Sequence, residues 1–300
     1  MTGILSDTAF TWNLADDFQQ LFQYPFMVNA YRAGTIVSVL AAIVGWFMVL
    51  RRETFAGHAL SVIGFPGAAG AVYVGLSSTL GYFAACLAAA TVLARALRPS
   101  RQSRMESSAP VALIQAFALA CGFLFISLYR GNLEGTTTFL FGTFLGVTSG
   151  QVAGLAIVAS ISLAVVALIG RPLLFTSLDA DVAASRGVPT AAVSLMYFLV
   201  LGAAVAEASQ ITGSLLVFAL LVLPPATAAR LTARPGRSLL LSVTIAVTVT
   251  WTALACAYFG SYPIGFWITT IAFGLYVTVH ALQAALLHRG RMSVLGAPSA

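Results

Sequence analysis

The chain has 300 residues, of which 59% are hydrophobic and 8% charged, with a formal net charge of +6 and a mean hydropathy of +0.94. That balance leaves too little polar surface to cover a water-soluble domain. All fifteen basic residues are arginine, so the chain lacks the lysine of a P-loop and cannot itself be a P-loop ATPase. The arginines gather at the ends of apolar segments rather than on one face, so the positive charge does not indicate nucleic acid as a partner.

In chain order, residues 1–24 carry Asp7, Asp16 and Asp17 and no basic residue, unlike a secretory leader. Phe10, Leu14, Phe18, Leu21 and Phe22 recur at helical spacing among Asp16, Asp17, Gln19 and Gln20. This predicts an amphipathic extracytoplasmic segment over residues 1–27, lying along the membrane surface. Apolar runs then recur at 28–50, 56–77, 80–97, 109–129, 150–170, 190–206, 211–229, 238–258 and 264–287, each long enough to cross roughly 30 Å of hydrocarbon. The expected architecture is all-α and polytopic, a transmembrane domain over 28–287 with about nine helices. Eight or ten crossings are the alternatives. No alternating ten-residue segments of a β-barrel are present. The stretch TTTFLFGTFLG (136–146) is too short to span and reads as a partial or surface helix.

Arginine sets the orientation. Arg51 and Arg52, the group Arg95 to Arg104, Arg171 and Arg186, the group Arg230 to Arg237, and Arg289 with Arg291 all fall in alternate loops. The positive-inside rule puts those loops in the cytoplasm, the N-terminus outside, and residues 288–300 in a cytoplasmic tail. An odd number of crossings follows.

Polar residues at membrane depth are few, and each is costly enough to raise a functional question. In RRETFAGHALSVIGFPGAAG (51–70), His58 precedes a run of small residues that lets helices approach closely. Pro66 is expected to break that segment, and Pro224–Pro225 the seventh span, as in helices that are packed or line a cavity. Glu207 and Gln210 stand where the sixth span gives way to the seventh. Glu207 reads as exposed in a loop, and Gln210 as the better position facing a passage. His280 reads as a packing histidine in the last span. Cys86, Cys121 and Cys256 sit singly in apolar runs, as small buried hydrophobes do. No closed metal-ligand cluster and no nucleophile with a base can be read. One loop differs from the others: in LDADVAASRGV (178–188), Ser177 or Asp179 can cap a single polar turn that Gly187 and Pro189 stop. A helix that short needs something to dock against.

YPFMVNA (24–30), the 51–70 segment, LFGTFLG (140–146), LDADVAASRGV (178–188), SQITGSLLVFALLVLPPATAARLTAR (209–234) and SYPIGFW (261–267) occur in this order over almost the whole chain. Together they resemble the ABC-3 family of metal-uptake permeases, the membrane subunits of zinc, manganese and iron ABC importers. The resemblance implies a permease of the metal/B12 importer type in a prokaryotic cytoplasmic membrane, not an enzyme. It implies two permease copies enclosing the pathway, a cytoplasmic ATP-binding subunit that spends the ATP, and an extracytoplasmic metal-binding protein. No cofactor is expected to be bound permanently, the divalent metal being substrate. The 178–188 loop then resembles the helix that couples to the ATPase, with Asp179, Asp181, Ala183 and Gly187 its key positions. The chain departs from the family pattern where an aspartate is replaced by His58 and the histidine four residues later by Val62. Gln210 matches the family's glutamine, and Glu207 has no counterpart. His58, Glu207 and Gln210 are therefore the candidates for transient contact with a passing ion. Alternatives are an importer of a metal chelate or corrinoid, a secondary transporter driven by protons through His58 or Glu207, and a non-transporting scaffold.

Overall fold

The computed structural model describes residues 21–97, 108–128, 146–260 and 262–295. Most of the amphipathic N-terminal segment, nearly all of the 136–146 stretch, and the loops holding Arg98 to Arg104 and Glu134 lie outside these residues. Ten helices are described: α1 (Pro25–Arg51), α2 (Thr54–Tyr73), α3 (Ser78–Ala96), α4 (Ser108–Leu128), α5 (Ser149–Leu178), α6 (Ala180–Ser185), α7 (Thr190–Thr212), α8 (Ser214–Leu231), α9 (Pro235–Phe259) and α10 (Ile264–Leu295). Among the described residues, eight of these helices are long and apolar enough to cross a membrane, whereas α8 has only a shorter apolar stretch, Val217–Leu231.

The helices form two groups. In one, α1 is the spine, packed against α5, α7, α8 and α9, with α10 against α8 and α9. In the other, α2 packs on α3 and α4, and α3 packs on α7. Although α1 and α2 are consecutive, they barely touch each other. The chain turns sharply between them at Arg52, whose left-handed backbone (φ 60°) caps α1.

Lipid is as apolar as a leucine core, so close packing of small residues rather than hydrophobicity must hold such helices together. The α2–α3 seam shows this directly. A Cβ on Gly67 would lie 2.4 Å from the Gly81 carbonyl oxygen, and one on Gly81 would lie 2.3 Å from that of Gly67. The two backbones thus meet with no side chain between them. Tyr82 fills the space beside Gly64 and donates to the Ser61 carbonyl at 3.0 Å.

Neither expected proline break occurs. Both α2 and α8 run unbroken through Pro66 and through Pro224–Pro225. In α8 the defect is used for packing. Pro225 has no N–H for the Leu221 carbonyl four residues back, and that oxygen faces Gly45 of α1, where a Cβ would come within 2.0 Å. Beside Pro66, Gly122 of α4 leaves room, a Cβ there meeting the proline ring at 3.2 Å. Tertiary packing thus holds these helices across residues that would end them in isolation.

Candidate functional site

At the arginine-bearing end of the bundle, α6 is a single capped turn. The Asp179 carboxylate accepts from the backbone N–H groups of Asp181 and Val182, each at 3.1 Å. Ser177, the other cap candidate, instead donates back to the Leu173 carbonyl. Gly187 ends the turn with a φ of +82°. Its N–H reaches the Ala184 carbonyl, and that of Val188 reaches Ala183, the paired bonds of a Schellman stop. Ala183 is wholly buried and seats the turn on the bundle, while Asp181 faces outward. Two anchors and a glycine corner make this six-residue helix a fixed, protruding shape.

His58 sits in the second turn of α2. Its ring meets Phe218 of α8 edge-on, with centroids 5.0 Å apart. Its Nδ1 is buried and has no hydrogen-bond partner. The neighbouring Ser61 hydroxyl is taken up by the His58 backbone carbonyl at 2.7 Å, so it leaves the imidazole free. Val62, one turn on, offers no ligand atom.

Glu207 corrects the expectation of an exposed loop. It lies inside α7, 2% exposed, and its Oε2 is buried without a partner. A carboxyl group in that position is paid for by nothing visible in the fold, since burial of an unpaired polar group costs free energy. Gln210, one turn further, is engaged at both ends of its amide. It accepts from Thr79 of α3 at 3.3 Å and donates to the Ala206 carbonyl at 3.3 Å. Of the three candidates, His58 and Glu207 keep unused atoms, whereas Gln210 ties α7 to α3. Among the described residues, no three His, Cys, Asp or Glu side chains gather around one point. His280 departs from its expected packing role, being exposed and stacked on Tyr276.

One polar group escaped the sequence reading except as a topogenic charge. Arg51 is 7% exposed and grips Glu53 with both arms of its fork, at 2.8 and 2.9 Å. It also donates to Ser194 of α7 at 2.8 Å and lies 5.1 Å from the centre of the Tyr197 ring. Tyr197 in turn donates to the Val44 carbonyl of α1. This corner fastens the start of α7, just beyond α6, to the turn that launches α2. The acid two residues after Arg51 was the available sequence signal.

The chain is similar to known proteins over most of its length. It matches the family described as the ABC 3 transport family over residues 23–283. The chelated iron transport system membrane protein YfeC of Yersinia pestis is 31% identical, covering 88% of this chain and 85% of that protein. The manganese transport system membrane protein MntC of Halalkalibacterium halodurans is 30% identical, covering 82% of each. Among solved structures, PsaBC from Streptococcus pneumoniae in complex with Fab has a chain of the same fold, with a TM-score of 0.77 at 24% identity, covering 88% of this chain and 94% of that one.

Proposed function

Because the chain belongs to the ABC 3 transport family, we propose that it is the permease subunit of an ABC importer that carries a divalent transition metal ion, manganese, zinc or iron, into the cytoplasm. Two copies enclose the pathway, an extracytoplasmic protein delivers the ion, and a separate ATPase docks below. The N-terminus lies outside and the C-terminus in the cytoplasm. The observation that carries this reading is the family match over nearly the whole chain, joined to relatives named for manganese and chelated iron transport.

His58 and Glu207 are the residues that touch the ion in transit. Imidazole and carboxylate suit borderline and harder divalent ions respectively, and both have atoms to spare. One donor at each place binds weakly, which a conduit requires if the ion is to leave again. Gln210 would have to give up Thr79 and Ala206 to contribute. Helix α6 is the coupling element, its shape set by Asp179 and Gly187, its seat by Ala183 and its outward face by Asp181.

The test is uptake into a metal-starved strain expressing the chain with its ATPase and binding protein. His58→Ala should lower uptake of at least one divalent ion; unchanged uptake of every ion tested would remove His58 from the pathway. A second reading, transport of a metal chelate, is favoured by the likeness to a chelated iron protein. It predicts uptake that excess free metal does not compete away.

A further inference from the structure

The outer surface of the bundle carries a groove that transport does not explain. It lies between α1, α5 and α9 near the arginine-bearing end and has a volume of about 490 Å³, within the range of roughly 300–1,000 Å³ typical of small-molecule sites. Trp46 and Phe47 of α1, Leu174 of α5 and Leu239 of α9 give it apolar walls. Gly170 and Gly236 keep it wide, since a Cβ on either would meet nothing within 4 Å. Arg171 lines it, exposed, and makes no ion pair among the described residues.

We propose that this groove holds one acyl chain of an anionic phospholipid, with the lipid phosphate against Arg171. The adjoining faces of α5 and α9 present Leu168 and Leu240 to the surroundings, 81% and 68% exposed, as helices facing lipid do. The groove therefore opens onto acyl chains, with a cation at the depth where headgroups begin. The charge selects an acidic lipid. Arg234 and Arg237 flank the start of α9, both exposed and neither ion-paired among the described residues. Arg234 gives α9 no side-chain cap and Pro235 stands at its first position, so the N–H groups of Gly236 and Arg237 have no intrahelical acceptor and favour negative charge nearby. A second copy of the chain fits less well, because a twofold contact on this groove would set one Arg171 against another.

The test uses Trp46, which is 7% exposed and held by the Ser238 hydroxyl at 3.0 Å. In the full chain with Trp12, Trp251 and Trp267 changed to phenylalanine, Trp46 is the only tryptophan left. The protein is reconstituted in phosphatidylcholine vesicles containing phosphatidylglycerol, with brominated acyl chains on one lipid or the other. Brominated phosphatidylglycerol should quench Trp46 with an affinity about fivefold above that of brominated phosphatidylcholine, the factor expected for one basic side chain near the surface. Arg171→Ala should remove most of that preference, the remainder belonging to Arg234 and Arg237, and Gly170→Leu should reduce quenching by both lipids. Native mass spectrometry of the otherwise unaltered chain, titrated with phosphatidylglycerol, reads the same loss in Arg171→Ala should the triple variant not fold. Equal quenching by the two lipids, a ratio unmoved by Arg171→Ala, or a Trp46 that neither lipid reaches because another copy covers it would each overturn the proposal.

Discussion

The corner at Arg51 and the interior of α7 at Glu207 both bury an ionisable side chain, and they do so in opposite ways. Arg51 is surrounded by a forked carboxylate, a hydroxyl and an aromatic face. Glu207 is buried at least as deeply, yet has an oxygen that nothing satisfies. A completed network holds helices in place. An uncompleted one costs stability unless something passing through completes it. The difference separates a charge that serves architecture from a carboxyl group left unsatisfied, the one proposed above to meet the passing ion.

Arg51→Ala is the strongest way to break that comparison. It strands the Glu53 carboxylate and frees the start of α7, and should cost about 3 kcal/mol, as when one partner of a buried ion pair is removed. Thermal unfolding in detergent reads it. Arg51→Lys should recover only part, because an ammonium cannot reproduce the fork. An Arg51→Ala protein as stable as the parent would deny the corner its structural role.

Gly45→Val should cost about 2 kcal/mol by pushing α1 off the Leu221 carbonyl, and the same unfolding assay tests it. Asp179→Ala, which removes the cap of α6, should cost about 1 kcal/mol. Its larger effect should be on coupling, seen as ATP hydrolysis by the assembled transporter no longer matched by uptake. Normal uptake would count against α6 as the coupling helix.

Glu207→Leu has the smallest expected effect on stability and sharpens the contrast most. Replacing an unsatisfied buried polar group with an apolar one of similar size should leave the protein no less stable, while metal uptake falls at least about tenfold, as for the loss of a specific polar contact. Marked destabilisation with normal uptake would place Glu207 with Arg51, as part of the scaffold.

Much of this was legible in the sequence. The lengths of the apolar runs gave the helices and their order, and the capped turn at Asp179 and Gly187 could be read because its bonds are local. The end of α7 was misread for a physical reason. Residues 207–210 fall between the expected spans, and Glu207 reads as loop in sequence, but the chain stays helical as Gln210 and Thr212 return donors to the Ala206 and Ala208 carbonyls. The continuity of α2 through Pro66 depends on α4, and the Arg51 network joins residues 143 positions apart. Neither could be seen from neighbouring residues alone.

Gly213 carries a consequence for movement within the bundle. It alone joins α7 to α8, at φ 82° and ψ 151°, a conformation essentially reserved for glycine. With no slack in the linker, the buried carboxyl of α7 and the Phe218 ring that covers His58 sit on either side of a single stiff elbow. A tilt of α8 that draws Phe218 away from His58 therefore passes through one residue to the helix that carries Glu207.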